Sequence, residues 1–289
     1  MAEEKVHIER NTVQETLVIP LFSRKICTEQ FGDFFKDEKA VELMAKLDYD
    51  FGDVSKRGKN IIERFGCLEV ATRQKAFMYE VREYLKKYPN ASVVNLGCGL
   101  DQSAEVCDNG TCSIYNVDFP DVIEIRNKLI PPADRVYNVA TDLNDISWFD
   151  HVARDQGAVF FASGVFYYFT AEQVEHLFNA MALYYKDAVL VFDIAGKAAV
   201  KAAVKTWVKQ AGIEGVGTSF YVNTVDEQIN PWLKNAKASS RKYMTGYFDL
   251  QEKSISGLFR FVAKIADNVM KMKIVKIEFE GDHKNGKED

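Results

Sequence analysis

The chain has 289 residues, 47% of them hydrophobic and 27% charged, which is ordinary globular usage and excludes collagen-like, low-complexity and disordered classes. Lys and Arg number 37 against 42 Asp and Glu, a net charge of −5, so no overall basic field exists to attract a nucleic-acid backbone. The start Met1-Ala2-Glu3-Glu4 lacks the marks of a secretory signal, no uncharged run reaches the roughly 20 residues of a membrane span, and five cysteines without a C-x-x-C pair or a His cluster support neither a metal nor a disulfide framework, so a soluble cytoplasmic protein is expected.

Helical patterns cover Val13–Phe31, Asp37–Leu47 and Ser55–Lys87, with no convincing strand among them. No repeat or Pro/Ser-rich linker follows, so residues 1–90 are expected to form a helical cover packed on the rest rather than a separate module. From Ala91 the pattern changes. Short β-rich runs stand at Ala91–Leu96, Ser113–Asp118, Arg135–Val139, Ala158–Ala162 and Ala188–Ile194. Between them lie helical stretches at Asp101–Asn109, Val122–Leu129 and Ala171–Tyr185, and an Asp-rich connection before the fourth run. Strands of this length separated by helices imply right-handed crossovers and a parallel sheet covered on both faces. A helix over Lys197–Gln210 is broken by the glycine-rich Gly212–Gly217, and two further strands, Ser240–Phe248 and Lys273–Glu280, flank a helix at Ser254–Met270. The last run alternates apolar and charged residues, as expected near a sheet edge and with antiparallel pairing. The prediction is an α/β domain over residues 91–280 with a doubly wound, seven-stranded, mostly parallel sheet, followed by a polar tail at 281–289.

The first strand runs into Leu96-Gly97-Cys98-Gly99-Leu100-Asp101, a Gly-x-Gly turn before a helix. Glycine there permits a tight turn and close approach of a ligand to the backbone. A dinucleotide fingerprint wants a third small residue three positions after Gly99, but Gln102 stands there, which disfavours a pyrophosphate. The second strand ends at Asp118, placed to accept from both hydroxyls of a ribose. The third unit ends in Thr141-Asp142-Leu143, where Asp142 can accept from an adenine amino group while Leu143 covers the ring. Either aspartate alone is equally a helix cap or turn residue. Together, on successive strand ends, these features favour an adenosine ligand without a pyrophosphate, and S-adenosylmethionine fits that description.

These residues resemble the leucine carboxyl methyltransferase family, including its bacterial relatives of the polyketide O-methyltransferase type. The resemblance is densest from Cys67 to Gln173 and rests on VVNLGCGLD, YNVDFPDVI, TDLND and the segment Ala162 to Gln173. It implies a Rossmann-like methyltransferase fold and S-adenosylmethionine as cofactor. It further implies that Arg73 pairs with the methionyl carboxylate of the cofactor, that Arg24 or Lys25 is a basic residue of the cofactor site, and that Tyr168 lies at the reacting centre. Where the leucine-specific enzymes carry a glutamate at the fourth strand end this chain has Ser163, a cofactor contact of different chemistry that weakens transfer of the leucine-specific function.

A carboxylate acceptor is already ionised at neutral pH, whereas a phenol near pKa 10 benefits from a base. His7, His151, His176 and His283 all sit in polar or terminal surroundings, so no histidine base stands out; this tilts the expectation toward a carboxylate acceptor or a proximity-driven phenol, with Asp, Glu or Tyr left open as a base. The expected activity is S-adenosylmethionine-dependent O-methylation of a small-molecule carboxylate or phenol. A nicotinamide-dependent oxidoreductase and a non-catalytic S-adenosylmethionine-binding protein are the alternatives, and substrate identity is expected to reside in the N-terminal cover and in Gly212–Asn235.

Overall fold

The computed structural model describes residues 5–8, 15–49, 60–203 and 220–280. In chain order the elements are β1 (Val6–His7), α1 (Glu15–Gln30), α2 (Glu38–Lys46), β2 (Leu47–Asp48), α3 (Ile61–Lys87), β3 (Ser92–Leu96), α4 (Ser103–Val106), β4 (Ser113–Asp118), α5 (Pro120–Leu129) and β5 (Val136–Ala140). There follow β6 (Ala158–Ala162), α6 (Ala171–Tyr184), β7 (Val189–Ile194), α7 (Lys197–Ala203), α8 (Val225–Gln228), β8 (Ala236–Lys242), α9 (Gly257–Asn268) and β9 (Lys273–Phe279). Strands β3 to β9 form one seven-stranded sheet in the order β5-β4-β3-β6-β7-β9-β8. The first five pair in parallel, and β9 runs antiparallel to both β7 and β8.

The sheet is buried on both sides, and the alternation of its strands shows how. Val93, Val159, Phe161 and Val191 join the core shared with α1, α2, α3, α5 and α9. Val94, Phe160, Phe192 and their neighbours pack on the opposite face against α6 and Trp148. Such two-sided burial is why β6, and β7 up to Asp193, read as unbroken apolar runs rather than alternating ones. Side-chain caps set several helix starts: Asp37 accepts from the Ala40 N–H for α2, Asn60 from Glu63 for α3, and Thr170 and Gln173 form a reciprocal capping box on α6.

Several boundaries differ from those expected. The strand placed at Ser240–Phe248 is Ala236–Lys242, because its register is set by pairing along β9, from Ala236 opposite Phe279 to Lys242 opposite Lys273. The aromatic residues that suggested the later position lie in the turn beyond it, where Tyr243 donates to the Glu69 carbonyl and Tyr247 to the Glu80 carboxylate of α3. β9 lies next to the edge strand β8 and pairs antiparallel with both neighbours, as expected of a strand near the sheet edge. The helix expected at Asp101–Asn109 shrinks to α4, whose first residue Ser103 donates its N–H and hydroxyl to Asp101 Oδ1. Two short parallel strands, β1 and β2, occur in the N-terminal region where none was expected. Residues 204–219, including the glycine-rich stretch, and the tail at 281–289 lie outside the described residues.

Candidate active site at the carboxyl edge of the sheet

Strand register defines the site. Leu96 is opposite Val117 on one side and Ala162 on the other, and Ala162 is opposite Phe192. The next residue on each strand therefore falls on one line across the carboxyl edge: Asp118 on β4, Gly97 on β3, Ser163 after β6, and Asp193 on β7. Open α/β sheets bind ligands along this edge.

Gly97 and Gly99 both adopt positive φ, +63° and +49°. A Cβ on Gly97 would stand 2.5 Å from Val165, and one on Gly99 would stand 3.0 Å from Leu17 of α1. The turn is thus closed tightly from two sides, and only glycine suits it. The Gly99 N–H donates to Asp118 Oδ2 at 2.7 Å and the Phe119 N–H to Oδ1 at 2.8 Å. Each carboxylate oxygen has further acceptor capacity, so the two backbone bonds orient Asp118 while leaving it able to accept again. Burial pushes the Asp118 carboxyl above its usual range, against the opposing pull of those N–H groups. Asp142 is exposed, and its Oδ1 accepts from the Asn144 N–H and side-chain amide, closing a local turn. Leu143 is buried and, with Asn144, Ile146, Glu172, Gln173, His176 and Leu177, lines a groove of about 350 Å³ beside it.

The N-terminal helices enter the site through two arginines. Arg24 of α1 is 4% exposed and pairs with Asp101 at 2.9 Å and Asp37 at 3.1 Å, while donating to the Leu100 carbonyl. Lys25 instead pairs with Glu29 one turn along the same helix. Asp101 also accepts from Gln74, Asn95 and Ser103, so it ties α1, α3 and β3 to the glycine turn. Arg73 of α3 donates to Asp193 Oδ2 at 3.0 Å. Its guanidinium lies against Gly164, whose φ is +73° and where a Cβ would stand 3.0 Å from Arg73 Nη1. Asp193 further accepts from the Gly164 N–H and the Tyr167 hydroxyl. Tyr168 follows on the same 3-10 turn, Phe166–Tyr168, and is 45% exposed, with the charges of Arg73 and Asp193 both acting on its phenol.

The structure therefore joins Gly97, Gly99 and Asp118 directly, brings Arg24 to them through Asp101, and gathers Arg73, Ser163 and Tyr168 at the β6–β7 end. Asp142 and Leu143 occupy the third strand end as a separate lip. Sequence reasoning missed Asp101, Asp193 and Arg126. Asp193 carried a readable signal, a lone acid in the apolar run AVLVFDI at the strand end. Arg126 did not: it is fully buried, donating to the carbonyls of Gly99 and Asp101 and to Glu105, and nothing in α5 marks it as inward-facing.

The fit of an adenosyl amino-acid ligand can be tested on the polar atoms. Arg24 Nε, Arg73 Nε and Gln74 Oε1 are buried without a hydrogen-bond partner among the described residues. Buried polar groups are nearly always satisfied, so these atoms suit a site that takes a polar ligand or ordered water. The donor set of Arg73, the glycine turn and Asp118 also matches a carboxylate and a ribose diol in chemistry. No group of His, Cys, Asp and Glu suited to a metal ion occurs among the described residues.

The sequence profile of leucine carboxyl methyltransferase matches residues 18–182. The chain is 29% identical over 182 residues to the tetracenomycin polyketide synthesis O-methyltransferase TcmP of Streptomyces glaucescens, across 63% of this chain and 65% of that protein. The match thus spans slightly less than two-thirds of the relative. Among solved structures, a DUF574-family protein from Streptomyces avermitilis has a TM-score of 0.55 at 10% identity, covering 89% of this chain and 96% of that one. The plantazolicin methyltransferase BamL, crystallised with a substrate analogue and S-adenosylhomocysteine, has a TM-score of 0.51 at 12% identity, covering 92% and 99%. At such identities these structures speak for the fold alone. The profile spans more than half of the chain and runs through the glycine turn, Asp118 and the third strand end: the protein belongs to the leucine carboxyl methyltransferase family.

Proposed function

We propose that the protein is an S-adenosylmethionine-dependent O-methyltransferase acting on a carboxylate or phenolic hydroxyl of a small molecule. The observation that carries the reading is the register line of Gly97, Asp118, Ser163 and Asp193, with Asp118 oriented by the Gly99 N–H. The cofactor supplies a methyl group activated on a sulfonium. In this reading Gly97 and Gly99 hold the tight positive-φ turn that faces the ligand, Asp118 accepts from the ribose hydroxyls, and Leu143 covers the adenine while Asp142 accepts from its amino group. Arg73, held at Nη1 by Asp193, has its Nε edge to pair with the methionyl carboxylate, a charge-assisted and directional contact. Ser163 offers a hydroxyl beside it. Arg24, already engaged by Asp37 and Asp101, acts by holding the turn. Tyr168, exposed at the β6–β7 end, lines the acceptor's place, where alignment in a water-poor pocket is the main catalytic demand.

Residues 1–90 serve as a cover inseparable from the site, a reading supported by the Arg24, Gln74 and Arg73 contacts. The polyketide O-methyltransferase relative supports a small-molecule acceptor. Five buried free cysteines support a reducing, cytoplasmic setting. Among the described residues no helix is long and apolar enough to cross a membrane.

Methyl transfer from labelled S-adenosylmethionine to a panel of aromatic carboxylic acids and phenols tests the reading. Label is expected in at least one class and is expected to disappear in Asp118→Ala. Failure of the wild-type protein to label any member while binding NADH would remove the proposal.

A further inference from the structure

The amino-acid head of the cofactor carries two charges, and Arg73 answers only its carboxylate. The ammonium needs an acceptor of its own, because a charged group drawn out of water without partners is costly. The aspartates along the carboxyl edge are engaged elsewhere. Asp193 already accepts from Arg73, the Gly164 N–H and the Tyr167 hydroxyl. Asp118 is oriented by the Gly99 and Phe119 N–H groups at the place of the ribose, and Asp142 closes its own turn at the third strand end.

Helix α3 sends two successive side chains to opposite sides of the β3 end. Arg73 reaches Gly164, just after β6, and Asp193 on β7. Gln74 lies about 100° further round the helix, on the stripe that faces α4. On that stripe Gln74 donates to Asp101 Oδ1 at 2.9 Å, and Arg82, two turns on, donates to the Val106 carbonyl at 3.2 Å. Asp101 follows the glycine turn of β3, and β3 pairs directly with β6. The two side chains therefore bracket the turn at Gly97, where Val165 from the β6 side also closes in.

The orientation of the Gln74 amide is fixed by its partner. Asp101 Oδ1 also accepts from Arg24 and Ser103, and a carboxylate oxygen takes the amide N–H, which turns the amide oxygen the other way. Gln74 Oε1 is buried without a hydrogen-bond partner among the described residues, and so is Arg73 Nε. Each side chain is thus anchored by an aspartate at one end and open at the other. The open ends are opposite in kind, a donor on Arg73 and an acceptor on Gln74. An amino-acid head is their complement, since its carboxylate accepts and its ammonium donates.

We propose that Gln74 accepts from the methionyl ammonium of the cofactor beside the carboxylate held by Arg73, so that two consecutive residues of α3 read both charges of the amino-acid head. The inference rests on the methyltransferase reading above and deepens it. A neutral amide oxygen suits the place, because it takes a charge-assisted hydrogen bond from the ammonium without setting a second carboxylate against Asp101.

The test is isothermal titration with three ligands: S-adenosylhomocysteine, its desamino counterpart, in which hydrogen replaces the α-amino group while the carboxylate stays, and methylthioadenosine, which lacks the whole head. Wild-type protein is expected to bind the desamino ligand at least about tenfold more weakly than S-adenosylhomocysteine, the size of one hydrogen bond to a charged group. In Gln74→Met the affinity for S-adenosylhomocysteine is expected to fall by a similar factor and the preference for the amino group to vanish, while methylthioadenosine binds as it does to wild type. Equal affinity of the wild-type protein for S-adenosylhomocysteine and the desamino ligand overturns the proposal whether or not the variant folds. A Gln74→Met protein that keeps the full preference for the amino group overturns it too, as does one that loses affinity for all three ligands alike, which marks Gln74 as a support of the turn. A wild-type protein that binds none of the three defeats the methyltransferase reading itself.

Discussion

At the β3–β4 end of the carboxyl edge the charged groups are bound into the chain itself: Arg126 grips the carbonyls of Gly99 and Asp101, Asp101 gathers Arg24, Gln74 and Asn95, and two N–H groups orient Asp118. At the β6–β7 end the arrangement is looser, with Arg73 held at one nitrogen by Asp193, its Nε without a partner among the described residues, and Glu69 half-buried beside it. The first end is built like a socket whose shape precedes its ligand; the second keeps charge in reserve. Preorganisation suits recognition of an unchanging nucleoside, whereas incompletely paired charge suits a ligand group that completes the pairing on binding.

The contrast predicts different consequences of mutation. The largest effect is expected at Arg126, which is 0% exposed. Arg126→Met leaves the Gly99 and Asp101 carbonyls without this donor and Glu105 with only the Asn116 amide, and loss of the buried partner is expected to cost about 3 kcal/mol, readable as a lowered denaturation midpoint. A loss below about 1 kcal/mol would mean that the turn is not clamped from within. Next, Asp118→Ala is expected to remove about 1.5–3 kcal/mol for each charged hydrogen bond lost to the ligand, seen as at least a tenfold weaker S-adenosylhomocysteine titration with the fold retained. Unchanged affinity would place the ribose elsewhere.

Glu69 should behave in the opposite sense. Its folded carboxyl lies near 7, above the roughly 4.3 of an unfolded glutamate, so the ionised form costs stability above about pH 7 and that cost fades as the pH falls toward 4.3. Glu69→Gln is therefore expected to melt higher than wild type at about pH 8, by a margin on the order of 1–2 kcal/mol that closes by about pH 4.5. A variant less stable than wild type at high pH would reveal a structural partner for the carboxylate. The smallest effect belongs to a pair away from the site. Arg135 pulls the exposed Asp108 carboxyl down to about 2, so its contribution is present above about pH 4 and is lost as the pH falls from 4 through 2. Arg135→Ala should lower the urea midpoint only slightly at neutral pH and not at all below about pH 2, checked by urea titration across that range.

How much of this was legible in the sequence follows from the range of each interaction. β6 and β7 were readable because two-sided burial writes a nearly unbroken apolar run, and Gly97, Gly99 and Asp118 because turn geometry and strand ends are local. β8 was misplaced because its seven residues, Ala-Lys-Ala-Ser-Ser-Arg-Lys, have little apolar pattern and are held by β9, while the aromatic side chains beyond them pack on α3. Asp101 looked like an ordinary helix-start residue, since its partners Gln74 and Arg24 lie 27 and 77 positions away. Arg73 was named only by family resemblance, and its anchor Asp193 is 120 positions distant. Glu69 was hidden for a similar reason: its raised carboxyl comes from burial and from Asp267 on α9, neither visible in the local sequence of α3.

The central claim is that the carboxyl edge holds an adenosyl amino acid rather than a dinucleotide. Isothermal titration of the intact protein with S-adenosylhomocysteine and, separately, with NADH tests it most directly. Saturable one-to-one binding of S-adenosylhomocysteine, lost in Asp118→Ala, with no response to NADH is the predicted result; saturable NADH binding with no heat from S-adenosylhomocysteine would contradict it.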